Sequence, residues 1–372
     1  MKIVFIIESL CMGGAERVTV NLAAHWASKG WDVTVVTLAS EALDFYELPP
    51  AVKRIALNLS GGNGNLLAAV FANLPRILAL RRILRQLKPA VALAIMLTPN
   101  VLLALATYGN KEVVAIGSEH LHPPALPMAK HWELLRSYFY GRLNAVAALT
   151  SESSHWLELN TRARKVEVIP NHIPFPFTNQ EPFLDHHIVP KERRILLAVG
   201  RLCDQKGFDL LIKVFSRLSF SFPDWILVIL GEGPDREALE AQIRSAGLID
   251  RALLPGRAGN MVDWYKASDL FVMTSRYEGF PNTLLETMVH GVPAVSFDCD
   301  TGPRDIIRHE IDGLIVPNRD LDALAVALGR LMGDESLRCR LGERAIEARE
   351  RFSADLVAGL WEQLFRDARA NS

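Results

Sequence analysis

Two glutamates separated by seven residues, Glu278 and Glu286, close the segment Thr274-Ser275-Arg276-Tyr277-Glu278-Gly279-Phe280-Pro281-Asn282-Thr283-Leu284-Leu285-Glu286. Pro281 and Asn282 suit the first positions of a helix, which leaves Glu278 on the loop and Glu286 inside the helix. A pair of glycosidase carboxylates flanks one bond at about 5–9 Å. Eight positions along a helix span about 12 Å, so these two carboxylates suit different parts of one extended ligand. A nucleotide sugar is such a ligand. Glu286 would accept hydrogen bonds from the ribose and Glu278 from the sugar, while the backbone amides of Gly279, Phe280, Pro281's neighbour Asn282, and Thr283 face the same side. The competing reading is one capping carboxylate and one solvated helix glutamate.

Phosphate chemistry is expected elsewhere. No GxGxxG follows the first apolar run and no Walker A sequence occurs, so dehydrogenase and P-loop readings lose their main support. Strand 195–199 runs instead into Gly200-Arg201-Leu202-Cys203-Asp204-Gln205-Lys206-Gly207. Arg201 can hold a diphosphate bidentately and Lys206 as a point charge; both also read as solvated loop charges. Gly13 and Gly14, in Met12-Gly13-Gly14-Ala15-Glu16-Arg17, open a helix whose free amides suit an anion, and they equally suit a plain strand-to-helix turn. His120 follows an apolar strand, as either a ligand-facing or a structural histidine. Asp298-Cys299-Asp300 has the spacing of oxygen ligands for Mg²⁺ or Mn²⁺. With Arg201 and Lys206 already available to the diphosphate, no metal and no cofactor is expected.

The elements that must carry these residues alternate strand with helix. Strands are expected at 3–7, 33–38, 91–96, 113–117, 145–150 and 166–169, and again at 195–199, 226–230, 252–254, 270–273, 294–297 and 314–316, with helices between them. Such alternation implies parallel sheets with helices on both faces. The pattern resets at the Pro- and His-rich stretch 172–193, read as a linker. The domains are therefore expected at 1–175 and 176–353, with a terminal helix at about 354–372 packing back on the first. The fold class is α/β: two doubly wound Rossmann-like domains facing across a cleft. Ligands of such sheets bind outside the carboxyl ends of the strands.

The chain of 372 residues is 49% hydrophobic and 22% charged, which fits globular domains. Its net charge of −1 supports no nucleic-acid partner. Charge is nonetheless uneven: residues 1–180 hold 17 Lys+Arg against 12 Asp+Glu, and the remainder 24 against 30. Cys11, Cys203, Cys299 and Cys339 lack zinc-ligand or CxxC spacing and read as reduced thiols. The start MKIVFIIESL reads as a buried strand, not a secretory signal. The apolar stretch 91–108 is interrupted by Thr98-Pro99-Asn100, so a strand, a turn and a helix from Asn100 explain it better than a membrane span.

Together, Gly13-Gly14-Ala15-Glu16-Arg17, Ser118-Glu119-His120, Ile169-Pro170-Asn171, Gly200-Arg201…Lys206-Gly207, Glu278…Glu286 and His290-Gly291-Val292-Pro293 resemble the family-4 retaining glycosyltransferases of the GT-B fold, over essentially the full length. The resemblance implies a hexosyltransferase (EC 2.4 type) that works without metal and retains anomeric configuration, using a UDP- or GDP-sugar. It implies Arg201 and Lys206 at the diphosphate, Glu286 at the ribose, Glu278 at the donor sugar and His120 at the reacting sugar. The nucleobase region is expected at Pro255, Gly256 and Arg257.

The Asp298…Arg304 loop looks like that of bacterial polysaccharide and lipid-linked-oligosaccharide transferases. It tilts the donor towards UDP-galactose, UDP-glucose or their N-acetyl forms, and the acceptor towards a glycan or lipid-linked chain. The first domain is expected to bind that acceptor. Arg76, Arg81, Arg82, Arg85 and Lys88 alternate with apolar residues, and Met128–Leu143 adds basic and aromatic ones. Both suit an anionic membrane surface as well as a solvated helix face. The expected location is cytoplasmic, peripheral on the inner face of the membrane. The competing function is a nucleotide-sugar epimerase of the same architecture.

Overall fold

The computed structural model describes residues 1–59, 66–125 and 128–370. The chain divides into two compact units. Unit 1 comprises Met1–His172 together with the chain from Ala354 onward, and unit 2 comprises Ile173–Ser353. The end of the terminal stretch expected at 354–372, residues 371 and 372, lies outside the described residues.

Unit 1 is built on seven parallel strands: β1 (Lys2–Ile7), β2 (Asp32–Thr37), β3 (Lys53–Ala56), β4 (Val91–Ile95), β5 (Val114–Glu119), β6 (Ala145–Ala148) and β7 (Val166–Val168). Their spatial order is β3-β2-β1-β4-β5-β6-β7. Unit 2 carries six: β8 (Arg194–Val199), β9 (Trp225–Leu230), β10 (Ala252–Gly256), β11 (Leu270–Met273), β12 (Ala294–Asp298) and β13 (Gly313–Pro317). Their order is β10-β9-β8-β11-β12-β13, all parallel. Each order reverses direction once, between β1 and β4 and between β8 and β11. Central strands such as Val91–Ile95 and Trp225–Leu230 are buried at every position. Helices cover both faces, so these strands read as continuous apolar runs and not as alternating ones.

Two expectations at element level are corrected. The helix after β4 spans Leu97–Ala106 and begins before the proline, not at Asn100. Pro99 falls in the first turn, where its missing N–H has no intrahelical partner to lose. Met96, with φ 78°, supplies the sharp entry. The helix Leu66–Leu87 extends further towards the amino terminus than its basic run and contains Pro75. Strand β3 was not anticipated, because Lys53-Arg54-Ile55-Ala56 sits at the sheet edge with no buried position in it and carries no apolar run.

The terminal helix Ala354–Ala370 buries Val357, Ala358, Trp361, Leu364, Phe365 and Ala368 within unit 1. Trp26 stacks on Trp31 at 5.1 Å and 3°, and Phe365 closes on Trp26 at 5.4 Å. The Trp26 indole N–H donates to Glu362 at 3.2 Å. No helix among the described residues is long and apolar enough to cross a membrane.

Removing the Phe365 ring takes contacts from both tryptophans at once. Phe365→Ala is expected to destabilise unit 1 by about 3–5 kcal/mol. Hydrogen exchange at the β1 and β5 amides should quicken accordingly, and unchanged protection would show that the terminal helix adds nothing to that core.

Candidate functional site

In unit 2 the strands flanking the reversal, β8 and β11, bring two loops side by side. The β8 loop carries Arg201 and Lys206, and the β11 loop carries Glu278. Lys206 Nζ lies 2.5 Å from Glu278 Oε1, both largely buried. Ser275 donates its hydroxyl to the same oxygen at 2.6 Å. The loops are also joined by backbone: Arg276 N–H donates to Gln205 O at 2.7 Å, and the Gln205 amide donates to Tyr277 O at 3.0 Å. Gly207 makes this approach possible. Its φ is +63°, and a Cβ there would run into the carbonyl oxygen of Thr274.

The third loop, after β12, closes the arrangement: Thr301 donates to Glu278 O at 2.6 Å. Asp298, the first carboxylate of the possible metal pair, accepts from Arg304 Nε at 2.9 Å. Asp300 is exposed. A guanidinium on one of the two carboxylates opposes the arrival of a cation there. Cys299 between them is buried, and burial pushes its thiol up to about 12, so it stays protonated.

Arg201 is exposed and forms no ion pair among the described residues. Its backbone is fixed from the β9 side. Leu202 N–H donates to Glu232 O at 3.0 Å and Gly200 N–H to Leu230 O at 3.0 Å. Gly231, with φ +147°, meets the Gly200 carbonyl so closely that no side chain fits. This Gly231-Glu232-Gly233 turn escaped the sequence reading. Its signal was two glycines one residue apart at the end of an apolar strand.

Glu286 lies in the helix Asn282–Val289 and is buried. Tyr265, from the helix Met261–Ala267, donates its hydroxyl to Glu286 Oε2 at 2.9 Å. The Glu286 carbonyl lies 2.7 Å from His290 Nδ1, and the His290 ring stacks on Phe177 at 5.4 Å and lies tilted against Tyr265 at 5.1 Å. Phe177 comes from the stretch read as a linker, which packs closely on unit 2. Asn179 bonds Asp263 at 2.9 Å, and Leu184 N–H donates to Asn260 at 2.9 Å. Tyr265, Ser275 and Thr301 carry no motif of their own and become visible only through these contacts. Pro255, Gly256 and Arg257 stand at the carboxyl end of β10, with Arg257 exposed.

In unit 1, His120 directly follows β5. It is buried, and its Nε2 has no hydrogen-bond partner among the described residues. Burial lowers its pKa to about 4, so the ring is neutral at physiological pH. The strand end that presents it is held rigidly. Glu119 accepts from Arg136 Nε at 3.2 Å and from the Tyr140 hydroxyl. Asn100 donates to Tyr140 at 2.9 Å and to Ser118 O at 3.1 Å, and accepts from Ser118 N–H at 3.2 Å. Burial pushes the Glu119 carboxyl above its ordinary value against the opposing pull of Arg136. Gly13 caps the helix Gly14–Ser28, and the Glu16 carboxylate folds back against it. An anion approaching those amides would meet that carboxylate first.

Each half of the chain matches a separate family description. "Glycosyl transferases group 1" matches residues 179–348 and "Glycosyltransferase Family 4" residues 12–175. An exopolysaccharide phosphotransferase of Streptomyces coelicolor is 36% identical over 273 residues, 73% of this chain but 28% of that protein. The chain therefore spans well under half of that relative's length. The Campylobacter jejuni alpha-1,4-N-acetyl-D-galactosaminyltransferase named for a diNAcBac-PP-undecaprenol-linked substrate is 28% identical over 99% of both chains. A Rhizobium meliloti lipopolysaccharide core biosynthesis mannosyltransferase is 30% identical over 60% of this chain and 67% of its own. Among solved structures, Anabaena HepE in complex with UDP superposes with a TM-score of 0.79 at 18% identity, covering 99% of this chain and 100% of that one. Two parallel-sheet α/β domains of this kind constitute the GT-B fold.

The depressed pKa of His120 has a sign that can be measured. The unfolded chain binds the proton near the ordinary 6.5 and the folded chain only near about 4, so this group's contribution to stability is lost as pH falls through that window. The His120 ring resonances should not titrate between about pH 7 and about pH 5, and His120→Asn should flatten the acid-side loss of stability. A ring that protonates above about pH 6 would show that the site is wet.

Proposed function

The chain belongs to the group 1 and family 4 glycosyltransferases, and from that membership we propose a retaining hexosyltransferase acting in cell-surface polysaccharide, lipopolysaccharide or oligosaccharide biosynthesis. The donor is a UDP-sugar carrying a hexose or N-acetylhexosamine, and the acceptor is a glycan or lipid-linked chain. The observation that carries the proposal is the contact between Lys206 and Glu278 across the β8–β11 reversal, with the unpaired Arg201 guanidinium on the same loop.

That pair explains how one site serves two ends of a donor. Within unit 2 Glu278 neutralises Lys206. An arriving diphosphate supplies Lys206 with a better partner, and Arg201 binds it bidentately. Glu278, still held by Ser275, then accepts from sugar hydroxyls, with the amides of Gly279, Phe280, Asn282 and Thr283 beside it. Glu286, oriented by Tyr265, accepts from the ribose. Pro255, Gly256 and Arg257 meet the nucleobase. His120, neutral and with an open ring nitrogen, forms a hydrogen bond to the reacting sugar.

In the reaction the bond from the anomeric carbon to the leaving phosphate oxygen breaks. The acceptor hydroxyl oxygen bonds to that carbon on the same face, and its proton passes to the departing phosphate. Arg201 and Lys206 balance the charge that develops on the leaving group. The same two cations, together with Arg304 on Asp298, support a transfer that needs no divalent metal. The names of the relatives support the acceptor class, and the UDP complex of HepE supports the nucleotide.

A panel of nucleotide sugars, scored by thermal shift and by slow donor hydrolysis, should single out UDP-sugars over GDP-mannose. Arg201→Ala and Lys206→Ala should each lower turnover about 10²–10³-fold. His120→Ala should lower it by orders of magnitude with the unfolding midpoint unchanged. Activity should persist in EDTA; its abolition with rescue by Mn²⁺ would overturn the metal-free assignment. Near-normal turnover of the His120 variant would remove that residue from the reaction.

A further inference from the structure

The basic residues expected to face a membrane are partly consumed inside unit 1. Arg76 is buried and donates to Leu59 O at 2.7 Å, so it is not part of a solvated basic face. Arg81 donates to Ala106 O and Leu105 O at 3.2 and 3.0 Å. Both guanidiniums are engaged by backbone carbonyls. A different cationic surface lies free nearby.

Three successive turns enter β5, β6 and β7, which are neighbours in the sheet. The first carries Tyr108, the second Arg142 and the third Arg162. Arg142 lies over the Tyr108 ring at 4.5 Å and over Tyr138 at 5.3 Å, and it donates to the Tyr138 hydroxyl at 3.2 Å. Arg162 covers Tyr138 from 5.0 Å. Neither arginine pairs with a carboxylate among the described residues. The same edge is neutralised on the far side of the sheet, where Lys2 and Lys53 share Asp32 and Lys29 pairs with Asp355. Free positive charge is thus concentrated beside β5–β7.

Apolar surface accompanies the charge. Tyr108 is 66% exposed, Leu134 71% and Tyr138 45%. Leu134 and Tyr138 are four residues apart in the helix Lys130–Phe139 and share one face. Tyrosine rings beside free guanidiniums, with an exposed leucine on the same helix face as Tyr138, match the headgroup layer of a bilayer. There the rings sit amphipathically, the arginines bind lipid phosphates and the leucine reaches the acyl boundary. A soluble polyanion would use the arginines and leave Leu134 without a role.

We propose that this edge of unit 1, formed by Tyr108, Leu134, Tyr138, Arg142 and Arg162, docks the protein peripherally on an anionic lipid bilayer. The turns lie at the amino ends of the strands, whereas His120 lies at the carboxyl end of β5. Docking therefore leaves the His120 end of the sheet facing away from the lipid.

The test is flotation of the full chain with vesicles of phosphatidylcholine and phosphatidylglycerol, against pure phosphatidylcholine. It needs no donor, so its outcome is independent of the reading of the catalytic site. Wild type should float with the anionic vesicles only, and less so as salt is raised. Arg142→Gln/Arg162→Gln should weaken partitioning about thirtyfold, and Leu134→Ser/Tyr138→Ser should also abolish flotation. Both variants should keep the wild-type thermal midpoint and donor hydrolysis. Failure of wild type to float would overturn the proposal, as would flotation of both variants at wild-type level. Loss on removing the charges but full retention in Leu134→Ser/Tyr138→Ser would assign the patch to a soluble polyanion instead. A variant that unfolds is replaced by Arg142→Ala/Arg162→Ala or Leu134→Thr/Tyr138→Thr, read against the same outcomes.

Discussion

A half-buried lysine and a buried carboxylate held 2.5 Å apart organise unit 2. Neither charge is well solvated, so removing one partner would leave the other uncompensated at considerable cost. Their proximity dictates much around them. The β8 and β11 loops must touch, which requires a left-handed residue at 207 and a narrow approach to Thr274. The β9 turn must support Gly200 from below, which excludes a side chain at 231. Thr301 must reach across from the β12 loop to hold the Glu278 backbone. Four strand ends thereby converge on one pair of charges, at the point where the order of strands reverses and a crevice opens in any doubly wound sheet.

Unit 1 solves a different problem with the same architecture. Its candidate residue is neutral, and the surroundings keep it so. His120 sits beyond a strand whose every position is buried, and desolvation alone holds its pKa near about 4. Rigidity comes from the polar cluster of Asn100, Glu119, Arg136 and Tyr140 behind it. A cluster of this kind is favourable only when each member is satisfied, and here the amide, carboxylate, guanidinium and phenol satisfy one another. The expense of burying Glu119 is met by precise placement of the strand end. Unit 2 thus offers fixed opposite charges that a charged ligand can rearrange, and unit 1 offers a dry, oriented dipole.

Burial also redistributes charges that look equivalent in the sequence. Arg76 and Arg81 lie in one basic helix with Arg82 and Arg85, yet the first two are spent on backbone carbonyls. Asp298 has the spacing of a metal ligand, yet Arg304 occupies it. Glu16 stands in a helix start suited to anions, yet its own carboxylate turns back on that start. In each case the group that settles the role, a backbone carbonyl for the two arginines, a guanidinium for Asp298 and the helix start for Glu16, is set by loop geometry no spacing rule describes.

The α/β class, the alternation of strands and helices, the loop positions of Arg201, Lys206 and Glu278 and the helical position of Glu286 were all legible from residue order. Strands buried on both faces must be continuous apolar runs, and residues just beyond such runs must lie at strand ends. Edge strand β3 was not legible, because a strand with no buried position needs no apolar signature. Nor were Tyr265, Ser275 and Thr301, whose parts depend on hydrogen bonds between segments distant in the chain. Local pattern records how each segment meets solvent and core, so the sequence by itself determined which residues stand at the ends of strands. Only the tertiary structure decided which of them are paired, buried or free, because those states depend on the burial and charge of neighbours that the fold brings together.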